Sequence, residues 1–165
     1  MNRRRVLFGG TAIAALASTT ALRSLFTANP AFAETFEVVK TEEEWRSILS
    51  DAAYKVLREE DTEYPGTSEL LNKKREGMFH CAGCDLPVYS SKTKYESGTG
   101  WPSFWDSEPN AIGTTVDTSL FMERIKCHCR RCGGHFGHIF DDGPKPTGKR
   151  HCINGLALSF KPVQA

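Results

Sequence analysis

The hydrophobic pattern changes near position 78, from helical spacing to short strand-like runs. Thr41, followed three residues later by Glu44, predicts a capping box, and Trp45 begins an apolar face at helical spacing. Ser50 predicts the cap of a second short helix, in which Tyr54 lies on the apolar face. We therefore expect two short helices at the start of the folded part.

The rest of the chain has the pattern of short strands joined by turns. Residues 117–119 form a turn between two apolar runs and predict a hairpin. Fourteen glycines and eight prolines also favour many short elements over a helical bundle. The predicted strands span 78–80, 86–89, 112–116, 120–127 and 153–160. We expect a mainly β fold, with two antiparallel sheets and short N-terminal helices packed at one end.

The first 33 residues have the layout of a secretory signal peptide. Arginines at positions 3–5 precede an apolar stretch, and Ala31-Phe32-Ala33 supplies a small-x-small cleavage site. Adjacent arginines before such a stretch resemble the twin-arginine type. The alternatives are an amphipathic or disordered tail and an uncleaved membrane anchor, which Arg23 disfavours because it interrupts the stretch. We expect a signal peptide at 1–33 and one periplasmic domain at 34–165, without stable membrane insertion.

The domain without its signal peptide is weakly acidic. Removing residues 1–33 takes away four arginines and no acidic residue, which leaves 17 basic and 20 acidic side chains. Nucleic-acid binding needs clustered lysine and arginine, and the composition offers no such cluster. We therefore expect no nucleic-acid partner, and we expect a monomer.

Four of the six cysteines form two Cys-x-x-Cys pairs. Cys81 and Cys84 make the first pair, and Cys129 and Cys132 make the second. Together they supply four sulfurs for a tetrahedral zinc site. The alternative is a disulfide within each pair, but such a disulfide closes a very small loop and restrains little of the unfolded chain. We expect one structural zinc ion and no organic cofactor.

A fifth cysteine, Cys127, lies two residues before Cys129. On a strand, both side chains would face the same side. Cys127 therefore has three possible roles: a small apolar packing residue, a substitute metal ligand, or a redox partner.

Two histidines and the sixth cysteine mark a candidate catalytic segment. His135 and His138 are three residues apart, and Arg150 precedes Cys152 by two residues. A neighbouring imidazolium or arginine lowers the pKa of a thiol and raises its thiolate fraction. We therefore expect Cys152 to be an ionised nucleophile beside an imidazole. The alternatives are a buried inert thiol, and histidines that pack in the core or bind the metal.

Four segments of this chain closely resemble the B-type methionine sulfoxide reductases. They are Cys-Gly-Gly-His-x-Gly-His-x-Phe-Asp-Asp-Gly-Pro from Cys132, Arg-x-Cys-Ile-Asn from Arg150, His-Cys-Ala-Gly-Cys from His80, and Ser-Gly-Thr-Gly-Trp-Pro-Ser-Phe from Ser97. The resemblance extends from about Thr41 to Phe160, with the motifs in the same order. Enzymes of this kind restore oxidised methionine.

The resemblance implies a role for each candidate residue. Cys152 attacks the sulfoxide sulfur and becomes a sulfenic acid. His138 protonates the departing oxygen, and His135 and Asn154 complete the polar wall, although the assignment of the donor between the two histidines stays open. The implied substrate is the R epimer of methionine sulfoxide, mainly in oxidised proteins. The implied substrate-binding residues are Trp101 against the substrate's methyl group, Phe140 and Arg150.

The chain departs from the family pattern at Thr99, where many members carry a resolving cysteine. We therefore expect a thioredoxin-like protein or a small thiol to reduce oxidised Cys152, with Cys127 as the alternative, internal resolving residue. A second departure is His151, where tyrosine or phenylalanine is usual. It adds a titratable group beside the nucleophile.

Two other functions fit part of the pattern. A zinc-ribbon binding module explains the four metal cysteines but leaves Cys152, His135 and His138 without a role. A thiol–disulfide oxidoreductase would need reactive cysteines in a Cys-x-x-Cys pair and no tightly bound metal. Counting the titratable thiols before and after metal removal distinguishes these possibilities.

Overall fold

Two short capped helices begin the folded part of the chain. The computed structural model describes residues 35–119 and 123–163, and the predicted signal peptide lies outside them. Helix α1 spans Glu42–Ile48 and helix α2 spans Asp51–Glu59. The predicted capping box is present, because the Glu44 amide donates to the Thr41 hydroxyl and the Thr41 amide donates to the Glu44 carboxylate. None of the described helices is long and apolar enough to cross a membrane.

Nine strands within the described residues form two antiparallel sheets. The strands are β1 (Gly77–Cys81), β2 (Pro87–Ser90), β3 (Lys94–Tyr95), β4 (Ser103–Phe104), β5 (Ile112–Asp117), β6 (Arg124–Cys129), β7 (His135–Phe140), β8 (Arg150–Ile153) and β9 (Leu158–Pro162). One sheet has the order β2-β1-β9, and the other has the order β3-β4-β8-β7-β6-β5. The predicted fold class, mainly β with two antiparallel sheets and two short helices, is confirmed.

The structure corrects two of the predicted strands. The stretch 153–160 is not continuous, because a turn of 3-10 helix at Gly155–Ala157 divides it. This turn carries the chain from β8, in the six-stranded sheet, to β9, in the three-stranded sheet. The strand predicted at 120–127 begins at Arg124 and continues to Cys129, while residues 120–122 lie outside the described part.

The core contains aromatic side chains from both sheets. Phe79 on β1 and Phe104 on β4 are fully buried, with ring centroids 5.0 Å apart. Tyr89 stacks on Phe104 at 4.4 Å, and Phe136 on β7 is also fully buried. Burial of such large apolar rings is a main source of folding free energy. These contacts join the three-stranded sheet to the six-stranded sheet, which carries the candidate catalytic residues.

Candidate active site

Cys152 lines a cavity of about 390 Å³ on one face of the six-stranded sheet. Strand β8 lies between β7 and β4, and its register pairs Cys152 with His138 on β7 and with Ser103 on β4. Residues directly opposite each other in antiparallel strands project to the same face, with Cβ atoms about 4.5–5.5 Å apart. The register therefore brings the predicted nucleophile and a predicted proton donor together. Of the predicted site residues, the cavity is lined by Trp101, His135, His138, Phe140, Cys152 and Asn154.

A β-bulge brings His135 to the same side of the sheet as His138. On a regular strand, residues three positions apart project to opposite faces. The register between β6 and β7 shifts between Cys127 and His128, and His128 pairs with His135. The bulge places one extra residue on β7, so the side chains that precede it project to the face opposite to the one expected from regular alternation. As a result, the His135 and His138 rings lie 5.7 Å apart, centroid to centroid.

His135 is buried in the wall of the cavity, which favours its neutral form. Its side chain is buried, with 4% of its surface exposed, and burial lowers its pKa to about 4. Within the described residues, its Nδ1 atom is buried without a hydrogen-bond partner. A buried polar atom without a partner costs free energy, so a ligand that bonds to it gains affinity. At neutral pH, His135 can offer a hydrogen bond to a ligand but does not carry a transferable imidazolium proton.

His138 is held by a carboxylate that the sequence interpretation missed. The Nε2 atom of His138 lies 2.8 Å from Oδ2 of Asp117, and the same oxygen accepts from Nη2 of Arg124 at 2.6 Å. Hydrogen bonds from Ser119, and then from His138, keep the pKa of Asp117 well below its usual range. Asp117 is therefore an ionised partner that orients the imidazole. The sequence identified it only as the start of a turn, and the strand pairing brings it to His138.

The thiol of Cys152 is not activated in the way we expected. Burial raises its pKa, and the Thr99 hydroxyl and the Arg150 guanidinium offset only part of this effect. The charge of Arg150 is shared with Asp142, which accepts from Nε and Nη2 at 2.8 Å each. The guanidinium also lies 4.4 Å from the centroid of the Phe140 ring. These contacts weigh against the predicted ionised resting thiol, because the Arg150 guanidinium is already paired with Asp142 and the sulfur is partly buried.

Glu63 is a second residue that the sequence interpretation missed. Its buried carboxylate accepts from the backbone amides of Gly155 at 2.5 Å and Leu156 at 3.2 Å. Its own backbone carbonyl accepts from Nε1 of Trp101 at 3.0 Å, which fixes the indole at the cavity. Its backbone amide donates to Oδ1 of Asn154 at 3.0 Å. Glu63 therefore holds the wall of the cavity and the segment after β8 together.

Asn154 lines the cavity, but its amide group is engaged with the backbone. Its Nδ2 donates to the carbonyl of Phe136 at 3.0 Å, and its Oδ1 accepts from Glu63. The side chain is 3% exposed. These contacts fix the end of β8 against β7 and the loop that carries Glu63. These contacts give Asn154 a positioning role, and the residue also lines the cavity, where we predicted it as part of the polar wall.

The four cysteines of the two Cys-x-x-Cys pairs meet at one point. Their sulfur atoms all lie within 4.8 Å of one another, with Cys81 to Cys132 at 3.6 Å and Cys84 to Cys129 at 3.5 Å. A tetrahedral ion with metal–sulfur bonds of about 2.3 Å separates its sulfurs by about 3.8 Å. The donor set therefore fits a metal ion of that geometry. All six cysteines are free in this structure, and the meeting of the two pairs at one point favours a shared metal site over a disulfide within each pair.

Comparison with known proteins identifies the family. A model of the SelR domain matches residues 49–162. The chain is 50% identical over 125 residues to the peptide methionine sulfoxide reductase MsrB of Methanosarcina barkeri, covering 75% of this chain and 88% of that protein. It is 48% identical over 127 residues to the MsrB of Pseudomonas putida, covering 76% and 96%. The chain belongs to the MsrB family. The predictions of the family and of an oxidoreductase are confirmed.

In this MsrB family member, Cys127 is remote from Cys152. Cys127 is fully buried, and burial raises its pKa to about 12. It pairs with Gly137 on β7, so it projects to the face opposite that of His138. Strand β7 separates β6 from β8, and two strand spacings amount to about 9–10 Å. A disulfide needs Cα atoms within about 7 Å, so this geometry argues against Cys127 as the resolving residue.

The two other functions considered from the sequence account for less of the MsrB-type site. Cys81, Cys129 and Cys132 are 2% exposed or less, which is unlike the accessible thiols of a Cys-x-x-Cys oxidoreductase. A zinc-ribbon binding module would not need a cavity lined by Cys152 and His138. The cysteine cluster and the cavity are separate sites with separate chemistry.

Proposed function

We propose that the protein reduces the R epimer of methionine sulfoxide in oxidised proteins, with Cys152 as nucleophile and His138 as proton donor. The observation that carries this proposal is the pairing of Cys152 with His138 on the face that lines the cavity. Trp101 supplies an apolar wall to that cavity, in keeping with contact to the methyl group of the substrate. The choice of the R epimer rests on the resemblance to the MsrB family.

The reaction moves an oxygen atom from one sulfur to another. The Cys152 thiolate attacks the sulfoxide sulfur and forms an S–S bond. The protonated oxygen passes from the methionine sulfur to the cysteine sulfur, and cleavage of the S–S bond leaves methionine and a Cys152 sulfenic acid. The methionine sulfur gains two electrons and the cysteine sulfur loses two, while one proton neutralises the departing oxygen. His138 supplies that proton, and Asp117 orients the imidazole through the 2.8 Å contact at Nε2. His135 offers a neutral hydrogen bond to the sulfoxide oxygen.

The charges around the cavity favour methionine sulfoxide within a protein over the free amino acid. Lys126 pairs with Glu60 at 2.6 Å, and Arg124 pairs with Asp117. Among the described residues that line the cavity, no lysine, arginine, aspartate or glutamate is left without an opposite partner. A free amino acid would bury its ammonium and carboxylate groups without compensation, which is costly. A peptide-bound residue has neither charge.

Regeneration requires an external thiol reductant. Two thiols, from a thioredoxin-like protein or a small molecule, convert the sulfenic acid to the thiol, a disulfide and water. The position of Cys127 on the opposite face and the threonine at position 99 support this route. Cys127→Ser should retain turnover with a thioredoxin-type reductant. Loss of that turnover, with one round of reduction preserved, would identify Cys127 as the resolving residue.

The tetrathiolate cluster holds zinc, as we infer from its four sulfur donors and their spacing. When bound, the ion supplies a cross-link between two segments of the chain and takes no part in the reaction. Cys81 ends β1 in one sheet and Cys129 ends β6 in the other. The metal would therefore stabilise the relative position of the two sheets.

Residues 1–33 direct export to the periplasm by the twin-arginine route. This proposal rests on the arginines and the cleavage site in the sequence. Transport of a folded domain would allow the four thiolates to bind zinc before they meet an oxidising compartment. Replacing Arg4 and Arg5 by lysine should retain the full-length precursor in the cytosol. Unchanged recovery in the periplasmic fraction would contradict the proposed route.

The activity is tested with separated epimers of methionine sulfoxide, blocked at both termini. Purified protein in excess dithiol should convert the R epimer to methionine and leave the S epimer unchanged. His138→Ala should lose about 10²–10⁴-fold in rate, since it removes a general acid. Conversion of the S epimer, or a rate in His138→Ala equal to that of the wild type, would contradict the corresponding part of the proposal.

A further inference from the structure

A chain of three hydroxyl groups ends at the reactive sulfur. Oγ of Ser103 lies 2.7 Å from Oγ of Ser97, which lies 2.9 Å from Oγ1 of Thr99. Oγ1 of Thr99 then lies 3.9 Å from Sγ of Cys152. Ser103 is on β4, which flanks β8 on the side opposite to β7 and His138. The hydroxyl chain and the proposed proton donor therefore approach Cys152 from opposite sides.

The direction of this chain follows from counting protons. Each hydroxyl has one proton to donate. Ser103 donates to the carbonyl of Trp101 at 3.1 Å, so its hydroxyl can only accept from Ser97. Ser97 has then used its proton. Thr99 is left with one proton and two acceptors, the Ser97 oxygen and the Cys152 sulfur.

The protonation state of the sulfur decides between these acceptors. A neutral Cys152 thiol can donate its own proton to Thr99, which then donates to Ser97. A thiolate has no proton and is a stronger acceptor, so the Thr99 hydroxyl turns toward it by rotation about its C–O bond. This contact forms only with the charged sulfur, and it therefore lowers the free energy of the reactive state relative to the resting state.

We propose that Thr99 is a catalytic residue that donates a hydrogen bond to the Cys152 thiolate. The proposal rests on the proposed role of Cys152 as nucleophile. It gives a function to the position where many members of the family have a resolving cysteine.

The groups around Cys152 leave little other stabilisation for a thiolate, so a hydrogen bond from a neutral donor has a larger effect. Burial of the sulfur disfavours the thiolate, and the guanidinium of Arg150 is already paired with Asp142. A hydroxyl donor adds no charge that would itself need a partner. Among the described residues, the charged and titratable groups around Cys152 are Arg150 on β8, His138 on β7, Tyr95 on β3 and Asp142 after β7. Cys127 on β6 projects to the opposite face of the sheet.

The test measures the rate at which iodoacetamide alkylates Cys152 as a function of pH. The zinc-bound wild type is compared with Thr99→Val, which keeps the shape of the side chain and removes the hydroxyl, and with Thr99→Ser, which keeps the hydroxyl. Mass spectrometry of peptides locates the modified cysteine. The rate rises with pH, and the midpoint of this rise reports the conversion of the thiol to the thiolate. At pH values below the midpoint, Thr99→Val should be alkylated about tenfold more slowly than the wild type, since a hydrogen bond to a charged group is lost. Thr99→Ser should keep the midpoint of the wild type.

A further variant separates the donor from the loop that carries it. Ser97→Ala removes the competing acceptor, so the Thr99 proton stays available to the sulfur and the midpoint should not rise. A rise in Ser97→Ala equal to that in Thr99→Val would show that the loop has been disturbed, and it would overturn the donor assignment. Equal midpoints in the wild type and Thr99→Val would overturn it as well. These titrations do not depend on reductase activity, so the proposed function can fail separately, through inactivity of the wild type.

Discussion

At the scale of the residue, the two histidines of the cavity differ in what surrounds them. His135 is buried with its Nδ1 unpartnered among the described residues, and its pKa is lowered to about 4. His138 contacts the ionised carboxylate of Asp117. Environment thus assigns different chemistry to two side chains of the same type, as is common where catalysis needs both a proton source and a neutral donor. This difference supports the proposed roles, with proton transfer by His138 and oxygen binding by His135.

The buried state of His135 predicts a change in acid stability. The unfolded chain binds a proton at this histidine near pH 6.5, whereas the folded protein does so only near its lowered pKa of about 4. Stability therefore falls as the pH decreases from about 6.5 to 4. Over this pH interval, the free energy of unfolding of His135→Gln should fall less than that of the wild type, by up to about 3 kcal/mol. Urea denaturation at pH 7 and at pH 4.5 measures this, and identical losses in the two proteins would contradict the prediction.

Residues that belong to a recognisable sequence motif could be predicted, whereas residues whose role depends on a tertiary contact could not. Cys152 and His138 are recognisable from residue type and spacing. Asp117 is 21 positions from His138, and Glu63 is 91 positions from Asn154. Neither carboxylate has a local signal, because one begins a turn and the other lies in a polar connector. Only the strand register and the path of the loops bring them to the cavity.

At the scale of the element, β7 determines the geometry of the site. It carries both histidines, and its bulge makes them face the same side. Gly137 on β7 pairs with Cys127 on β6 and with Ile153 on β8, and a Cβ atom at this position would lie 2.1 Å from the carbonyl oxygen of Cys152. Its φ of 151° is also one that other residues rarely adopt. Glycine is therefore required for β7 to pair closely with the strand of the nucleophile.

Gly137→Ala should separate β7 from β8 and weaken both stability and activity. Gly148→Ala is a matched control, because Gly148 has a positive φ of 71° but open space around it. The control should cost about 1–2 kcal/mol from backbone strain alone. Gly137→Ala should lower the free energy of unfolding by about 2 kcal/mol more than Gly148→Ala, since strand packing is also disturbed. Urea unfolding and alkylation of Cys152 measure the two effects, and equal costs would show that strand approach is not the constraint.

The helices were predictable from their caps, whereas β7 was not predictable from its pattern. Thr41 and Ser50 give local signals that need no tertiary contact. The alternation of β7 is broken by Gly137 and by the bulge, so its sequence does not have the period of a strand. The stretch 153–160 shows the opposite error. Its apolar residues favoured one continuous strand, but the chain turns at Gly155–Ala157, where the buried carboxylate of Glu63 accepts from the Gly155 amide.

At the scale of the whole molecule, the cysteine cluster connects the two sheets. One sheet contributes Cys81 at the end of β1, and the other contributes Cys129 at the end of β6. A metal ion at this point closes a long loop of the chain, which restricts the unfolded state. The spacing of the cysteines predicted the four donors. It could not show that they join two sheets, because the sheet of each strand depends on the full topology.

Removal of the metal should therefore destabilise the entire fold. Metal analysis of the purified protein should give one zinc per chain, and chelation should release four additional titratable thiols. Structural zinc sites contribute on the order of 10 kcal/mol of apparent binding free energy, so Cys84→Ser should unfold or lose most of its thermal stability. Cys127→Ser is the control and should keep its zinc. A fully stable, metal-free protein would contradict this account.

The central claim is that the sulfur of Cys152 accepts the oxygen of methionine sulfoxide. The most direct measurement is a single round of reaction, with reduced protein, an excess of a peptide that contains the R-sulfoxide, no added reductant, and a reagent that labels sulfenic acids. We predict one methionine formed per chain, a label on Cys152 alone, and no methionine from Cys152→Ser. Methionine formation by Cys152→Ser, or a label confined to another cysteine, would contradict the account.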